Sequence, residues 1–323
     1  MTGRRPLLSV IAAALLTGRA DLRAQTPGRL YRLGILRPTS PAPLDVNIPE
    51  ALRERGYVEG RNIVIDRRYG ENRLERLPVF ARELVAGKVD AIVAVGAASV
   101  RAAVAATTIV PIVMFGNFDP VASGLVKSLA RPGGNLTGVL IAPDGTLAGK
   151  KLELLLEVVP GATRIGMLSH YDPSVRQQVA EVRRIASELG LSVHPVEVVD
   201  GDYERAFTAL ATERPQALFV SASTYFVRDR LQIIERAARY RMPAIYEWRE
   251  HVQDGGLMAY ATSLPALHQR VADYVDRIFE GAKAGEMPIE QPSKFELVIN
   301  RSTARALGLK LSPALLLRAE VIE

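Results

Sequence analysis

Apolar residues along this chain fall into two alternating kinds of pattern. Short, nearly continuous apolar runs at 31–36, 89–95 and 111–115 predict strands buried on both faces of a sheet. A more mixed run at 62–67 fits a further strand. Between the runs, helical spacing at 48–55 and 74–86 closes on Gly56 and Gly87, residues suited to ending a helix. Another helix fits 97–106. Strands alternating with helices predict parallel βαβ units.

The pattern then recurs. Arg32-Leu33-Gly34-Ile35-Leu36 matches Arg164-Ile165-Gly166-Met167-Leu168 at an offset of 132 residues. Asp90-Ala91-Ile92-Val93 matches Gln216-Ala217-Leu218-Phe219 at 126, and Pro111-Ile112-Val113 matches Pro243-Ala244-Ile245 at 132. Four matches in the same order, counting Arg55-Gly56-Tyr57 with Leu189-Gly190-Leu191, point to an internal duplication. The fold class expected is therefore α/β, with two Rossmann-like open parallel-sheet domains joined by a hinge. The tail offers a helix at 267–282, a proline-containing link at 287–292, a strand at 295–299 and a short helix at 303–307. We expect one domain from 25–142 plus about 262–290, and the other from 143–261 plus about 291–323. A chain of 323 residues is the right length for two such domains.

The first 24 residues stand apart. Arg4 and Arg5 precede an apolar stretch of about a dozen residues, and Leu22-Arg23-Ala24 follows a small, polar segment. This is the three-part pattern of a secretory signal peptide, with cleavage after Ala24. It implies export to the periplasm. The segment also carries much of the +6 net charge, because it holds four arginines against Asp21 alone. The remaining chain has 37 Lys and Arg against 34 Asp and Glu, with no basic stretch interleaved with aromatics. Nucleic acid is therefore not an expected partner. The absence of cysteine excludes disulfides, thiolate chemistry and an acylated lipoprotein anchor.

Ligands of open parallel sheets sit at the carboxyl ends of the strands. Two such sheets facing each other make a cleft that hinge closure can seal around a small molecule. The residues just beyond each run are then the candidates. In the first half they are Arg37, Ser99, Asn117 and Asp119; in the second, His170, Tyr171, Ser223, Tyr246, Glu247 and Tyr260. The set mixes guanidinium, amide, hydroxyl, carboxylate and aromatic groups, as an organic solute requires. Asp119, before Pro120, reads equally as the cap of a helix starting near Val121 and as a ligand contact.

Catalytic and cofactor motifs are missing. His170, His194, His251 and His268 have no metal-pair spacing, so no metal is expected. Neither a G-x-S-x-G elbow nor a G-x-G-x-x-G loop after the first strand occurs. Residues 145–151 resemble a phosphate loop but lack its spacing and its Ser/Thr. No catalytic residue and no cofactor are assigned.

Several phrases carry a family resemblance. They are Glu54-Arg55-Gly56-Tyr57-Val58-Glu59-Gly60-Arg61-Asn62, Asp119-Pro120-Val121-Ala122-Ser123-Gly124-Leu125-Val126 and Arg131-Pro132-Gly133-Gly134-Asn135-Leu136-Thr137-Gly138, with Ile299-Asn300-Arg301-Ser302-Thr303-Ala304 and Leu307-Gly308-Leu309 near the end. With them, residues 30–323 resemble the ABC-transporter substrate-binding proteins of the tryptophan/tyrosine-binding type. The resemblance implies a type I periplasmic binding protein, or Venus flytrap. Such a protein captures a small-molecule solute and delivers it to a membrane permease driven by a separate ATPase. It implies a monomer without catalysis. It carries a ligand role onto Ser99, Asn117, Asp119, His170, Tyr171, Ser223 and Tyr246. Arg37 stands where many relatives have a small or amide side chain, and the segment 221–224 lacks an acid often found in amino-acid binders. The missing acid puts a zwitterionic amino-acid ligand in doubt, and Arg37 favours an anionic or carboxylated ligand, with an aromatic one as an option. Two other readings remain at this stage. One is an enzyme using Asp119, Glu247 and His170 as acid/base groups; the other is a solute-sensing module for a signalling partner.

Overall fold

The strands of the first sheet all run parallel, and that fixes where polar side chains can gather. A computed structural model describes residues 29–39, 47–142, 146–170 and 173–323. The expected signal segment and Tyr171 lie outside the described residues. In the first sheet, β1 (Tyr31–Arg37), β2 (Ile63–Tyr69), β3 (Ala91–Val95), β4 (Ile112–Gly116) and β5 (Leu136–Leu140) are joined by β11 (Ile289–Glu290), in the order β11-β5-β4-β3-β1-β2. The second sheet contains β6 (Arg164–His170), β7 (Ser192–Val198), β8 (Ala217–Val220), β9 (Ala244–Tyr246), β10 (Met258–Ala261), β12 (Glu296–Asn300) and β13 (Glu320–Ile322). Its order is β13-β12-β10-β9-β8-β6-β7, with β12 antiparallel to β10. The partial orders β5-β4-β3-β1-β2 and β10-β9-β8-β6-β7 are the same. The recurring strands of the sequence therefore occupy equivalent places: β1 with β6, β3 with β8, β4 with β9.

Alternate residues of each strand enter different cores, as a pleated strand requires. Leu33, Ile35, Ala91, Val93 and Val95 face α1 (Asn47–Glu54) and α10 (Leu264–Phe279). Leu36, Ile92 and Ala94 face α2 (Leu77–Ala86) and α3 (Gly96–Ala106). In the second sheet Ile165, Met167, Ala217, Phe219 and Ile245 pack on α4 (Thr146–Val158) and α5 (Pro173–Glu188). Leu168, Leu218, Val220 and Tyr246 pack on α6 (Tyr203–Thr212) and α8 (Arg230–Arg239). Covering both faces explains why these strands read as unbroken apolar runs.

The tail differs from its expected form in three places. Helix α10 begins at Leu264, with Pro265 in its first turn, and packs into the first unit's core rather than starting at 267. The proline-containing link holds β11, which pairs with β5 and returns the chain to the first sheet. Beyond α11 (Arg301–Ala306), capped by the Asn300 side chain on the Thr303 N–H, the chain adds α12 (Pro313–Arg318) and β13. The helix expected near Val121 is also absent. Residues 120–124 form turns ending at Gly124, whose φ is +69°. Among the described residues, no helix is long and apolar enough to cross a membrane.

Gly138 shows how tightly β5 fits its neighbour. It pairs with Met114 on β4 and has φ +141°, where a side chain is strained. A Cβ there would lie 2.2 Å from the Met114 carbonyl oxygen. Gly138→Ala is expected to cost about 3 kcal/mol or more of stability, through strain plus displacement of β4. Urea unfolding measures this, and an unchanged midpoint would contradict the close approach.

Candidate functional site

The carboxyl ends of the two sheets face each other across a cleft with an empty space of about 860 Å³, part of it open to solvent. From the first unit come Arg37 at the end of β1, the Val95-Gly96-Ala97 junction at the start of α3, and Asn117 after β4. Gly96 has φ +78°, so the chain turns from strand into helix within one residue. The N-terminus of α3 thereby borders the cleft, an arrangement that favours an acceptor or anion. From the second unit come Ser223 and Tyr225, on α7 (Thr224–Arg228), and Trp248, which precedes α9 (Arg249–Gln253). Ser223 caps α7 by accepting the Tyr225 N–H at 3.3 Å.

Aromatic rings form one side of this space. The Tyr225 ring is stacked on His170, with centroids 3.7 Å apart and planes 13° apart. Trp248 belongs to the second unit's chain but is 3 % exposed and packed into the first unit's core, among Leu264 and Leu267. It therefore spans the junction between the units at the back of the cleft. Phe115 and His268 meet edge to face, 5.4 Å between centroids. His268 is held to a pKa of about 4, first by burial and then by the nearby Arg37 charge. At neutral pH it is an uncharged imidazole beside a cation.

A second chamber, about 800 Å³ of empty space, adjoins the first, and the two meet at Asn117, Gln178 and Ala222. Gln178 on α5 is pinned there. Its Nε2 donates to the Ala222 carbonyl at 3.0 Å, and its Oε1 accepts the Ala222 N–H at 3.0 Å. Lys151 on α4 and Glu247 after β9 form an ion pair at the chamber wall, their side chains 3 % and 5 % exposed.

Arg37, Asn117 and Ser223 thus converge on the first chamber, and Glu247 lines the second. The other expected residues that the structure describes do not line these walls. Ser99 is fully buried in α3. The Asp119 carboxylate accepts the N–H groups of Val121 and Ala122 at 2.8 and 3.0 Å, so it serves the turn. His170 stands one layer behind, against Tyr225. Tyr246 turns to the opposite side of its sheet and lines a separate cavity with Met242 and Gly256; it stacks on His251, and burial pushes its pKa up. Tyr260, half-buried, stacks on Phe295, 5.8 Å between centroids. The reading by strand ends missed Gln178, Lys151 and His268, which sit on helices. Only the apolar stripe of α10, which includes His268, hinted at its inward orientation.

A family model described as ABC transporter substrate binding protein matches residues 45–322. The chain belongs to that family. Among curated proteins, the tyrosine-binding protein of Clostridioides difficile strain R20291 is 28 % identical over 263 residues, 81 % of this chain and 75 % of the relative. Two solved structures are similar over 91 % of this chain and 100 % of their own. A conserved domain protein from Vibrio cholerae gives a TM-score of 0.83 at 24 % identity. An ABC domain from Streptococcus pneumoniae in complex with L-Trp gives 0.81 at 25 %. This substrate-binding protein has the type I periplasmic binding fold. Among the described residues, no group of three or more His, Asp or Glu is placed to hold a metal ion.

The buried histidines give the binding protein a defined acid response. Burial depresses His251 to about 3 and His268 to about 4, both below the 6.5 of an unfolded chain. As pH falls from about 6.5, the unfolded state takes up protons that the native state refuses, so stability declines. Below the native values both states are protonated, and no further loss comes from these groups. Each histidine contributes up to about 1.4 kcal/mol per pH unit inside its window. Melting between pH 7 and 4.5 is expected to drop less steeply in His251→Gln than in the parent chain. Equal slopes would show that His251 does not contribute.

Proposed function

We propose that this protein is the periplasmic solute receptor of an ABC importer, exported by its first 24 residues and working as a monomer. It captures a small aromatic carboxylate in the interdomain cleft, then docks on a membrane permease driven by a separate ATPase. The closing bodies are 25–142 with 262–290, and 143–261 with 291–323. The observation that carries the reading is the first chamber. A guanidinium (Arg37), an amide (Asn117), the N-terminus of α3 and the rings of Tyr225, Trp248 and Phe115 line one space. Rings supply apolar contact area; Arg37 and the α3 N–H groups suit a carboxylate. The tyrosine-binding relative and the L-Trp complex support an aromatic solute.

The geometry favours capture over catalysis. The three acid/base candidates are engaged elsewhere: Asp119 in a turn, His170 under a tyrosine ring, Glu247 in an ion pair.

Isothermal titration with benzoate, 3-phenylpropanoate, L-tyrosine and L-tryptophan tests the reading. At least one is expected to bind at one-to-one stoichiometry. Arg37→Ala should weaken that binding about 10- to 100-fold, the worth of a charge-assisted hydrogen bond. No binding of any of the four, or equal affinity in the variant, would overturn the reading or the role of Arg37 respectively.

A further inference from the structure

The second chamber holds a polar pair that the solute reading does not use. Lys151 and Glu247 are 2 % and 4 % exposed, and no other charged pair between described residues is as deeply buried. Burying such a pair is costly unless its remaining hydrogen-bonding positions are filled. Here they are not. One Glu247 carboxylate oxygen is buried without a hydrogen-bond partner among the described residues. Among the described residues, the Lys151 ammonium, with three protons to give, makes one hydrogen bond, to the other oxygen of Glu247. Its Nζ lies 5.7 Å from the centre of the Phe219 ring, also in the chamber wall. The pair therefore brings an unfilled acceptor and unfilled donor positions together in the wall of the chamber.

Taken together the pair has no net charge, so it offers little to a second carboxylate. A hydroxyl is the smallest group that answers both partners, because it donates one proton and accepts on its lone pairs. The two chambers meet at Asn117, Gln178 and Ala222, so one elongated molecule can occupy both. We propose that the second chamber is a polar subsite, with Lys151 and Glu247 selecting solutes that carry a hydroxyl at the end remote from the carboxylate. Arg37 takes the carboxylate, the rings of the first chamber take the apolar middle, and the ion pair takes the hydroxyl. The assignment rests on the solute reading above and narrows it from aromatic carboxylates to phenolic ones.

The test compares 3-(4-hydroxyphenyl)propanoate with 3-phenylpropanoate, which differ by one hydroxyl, by isothermal titration of the parent protein. A site that hydrogen-bonds a hydroxyl rejects the analogue lacking it, so the parent is expected to prefer the phenol by at least about 30-fold. The double variant Lys151→Met with Glu247→Leu removes both charges together and leaves neither partner stranded. Its preference should fall below about 3-fold, with a cooperative melt confirming that it is folded. A parent ratio near one would overturn the proposal, and this result needs no variant. A folded double variant that keeps the full preference would overturn it as well. Failure of the parent to bind either compound, while binding another aromatic carboxylate, would overturn the subsite alone. Failure to bind any aromatic carboxylate would overturn the solute reading and the subsite with it.

Discussion

Burial of parallel strands on both faces is the constraint from which the rest of this molecule follows. A strand covered by helices on two sides has no room for an unpaired polar side chain along its length. Ile92, Val93 and Ala94 are fully buried, as are Val113 and Met114. Polarity is displaced to the strand ends, where the chain leaves the sheet and turns into a helix. At those ends lie Arg37, Gly96, Asn117, Ser223 and Glu247. The two sheets bring their carboxyl ends together, so these residues and the first N–H groups of α3 share one space. The cleft thus brings hydrogen-bonding groups of both units together beside apolar surface.

The same constraint explains what the sequence made legible. Strands buried on both faces are written as apolar runs, so the duplicated β1/β6, β3/β8 and β4/β9 pairs could be matched by eye. Their equivalent places in the two sheets follow the same logic. The short, exposed or proline-flanked pieces carried no such mark. Strand β11 is two residues long and follows Pro288, and its pairing with β5 depends on a chain segment about 150 residues away. The turn at 120–124 reads as a helix because Asp119 and Pro120 are good starters. Gly124 at positive φ ends it after a single turn.

Site residues were legible only to the level of the strand end. Being near an end does not decide which way a side chain faces. Arg37, Asn117 and Ser223 face the cleft. Ser99 is buried one helical turn into α3, and Tyr246, the last residue of β9, turns to the side opposite Ile245. Residues delivered by helices left almost no trace. His268 occupies the buried stripe of an amphipathic helix from the far end of the chain, where an aromatic ring and an apolar side chain look alike. Gln178 belongs to a helix of low overall hydrophobicity, and only the fold reveals that its amide is spent on both backbone groups of Ala222.

The proposed closure around a solute asks the two units to move without losing their register, and the chain's path bears on this. It crosses between the sheets after β5, after β10 and after β11. Three covalent connections restrict relative motion more than one linker would, and they favour a hinge over free tumbling. Non-covalent contacts across the junction are of two kinds. Trp248 is sunk in the first unit's core beside α10. Nearer the exposed surface, Arg228 donates to the Asn72 side chain at 2.6 Å. That guanidinium is already oriented by Asp229, which in turn accepts the Tyr203 hydroxyl at 2.7 Å. An exposed hydrogen bond contributes only about 1 kcal/mol, so it can align the closed state but cannot hold it shut alone. The larger share of closing free energy must come from whatever fills the chambers. The proposed receptor role asks for that balance, because a latch strong enough to close the empty cleft would also block delivery.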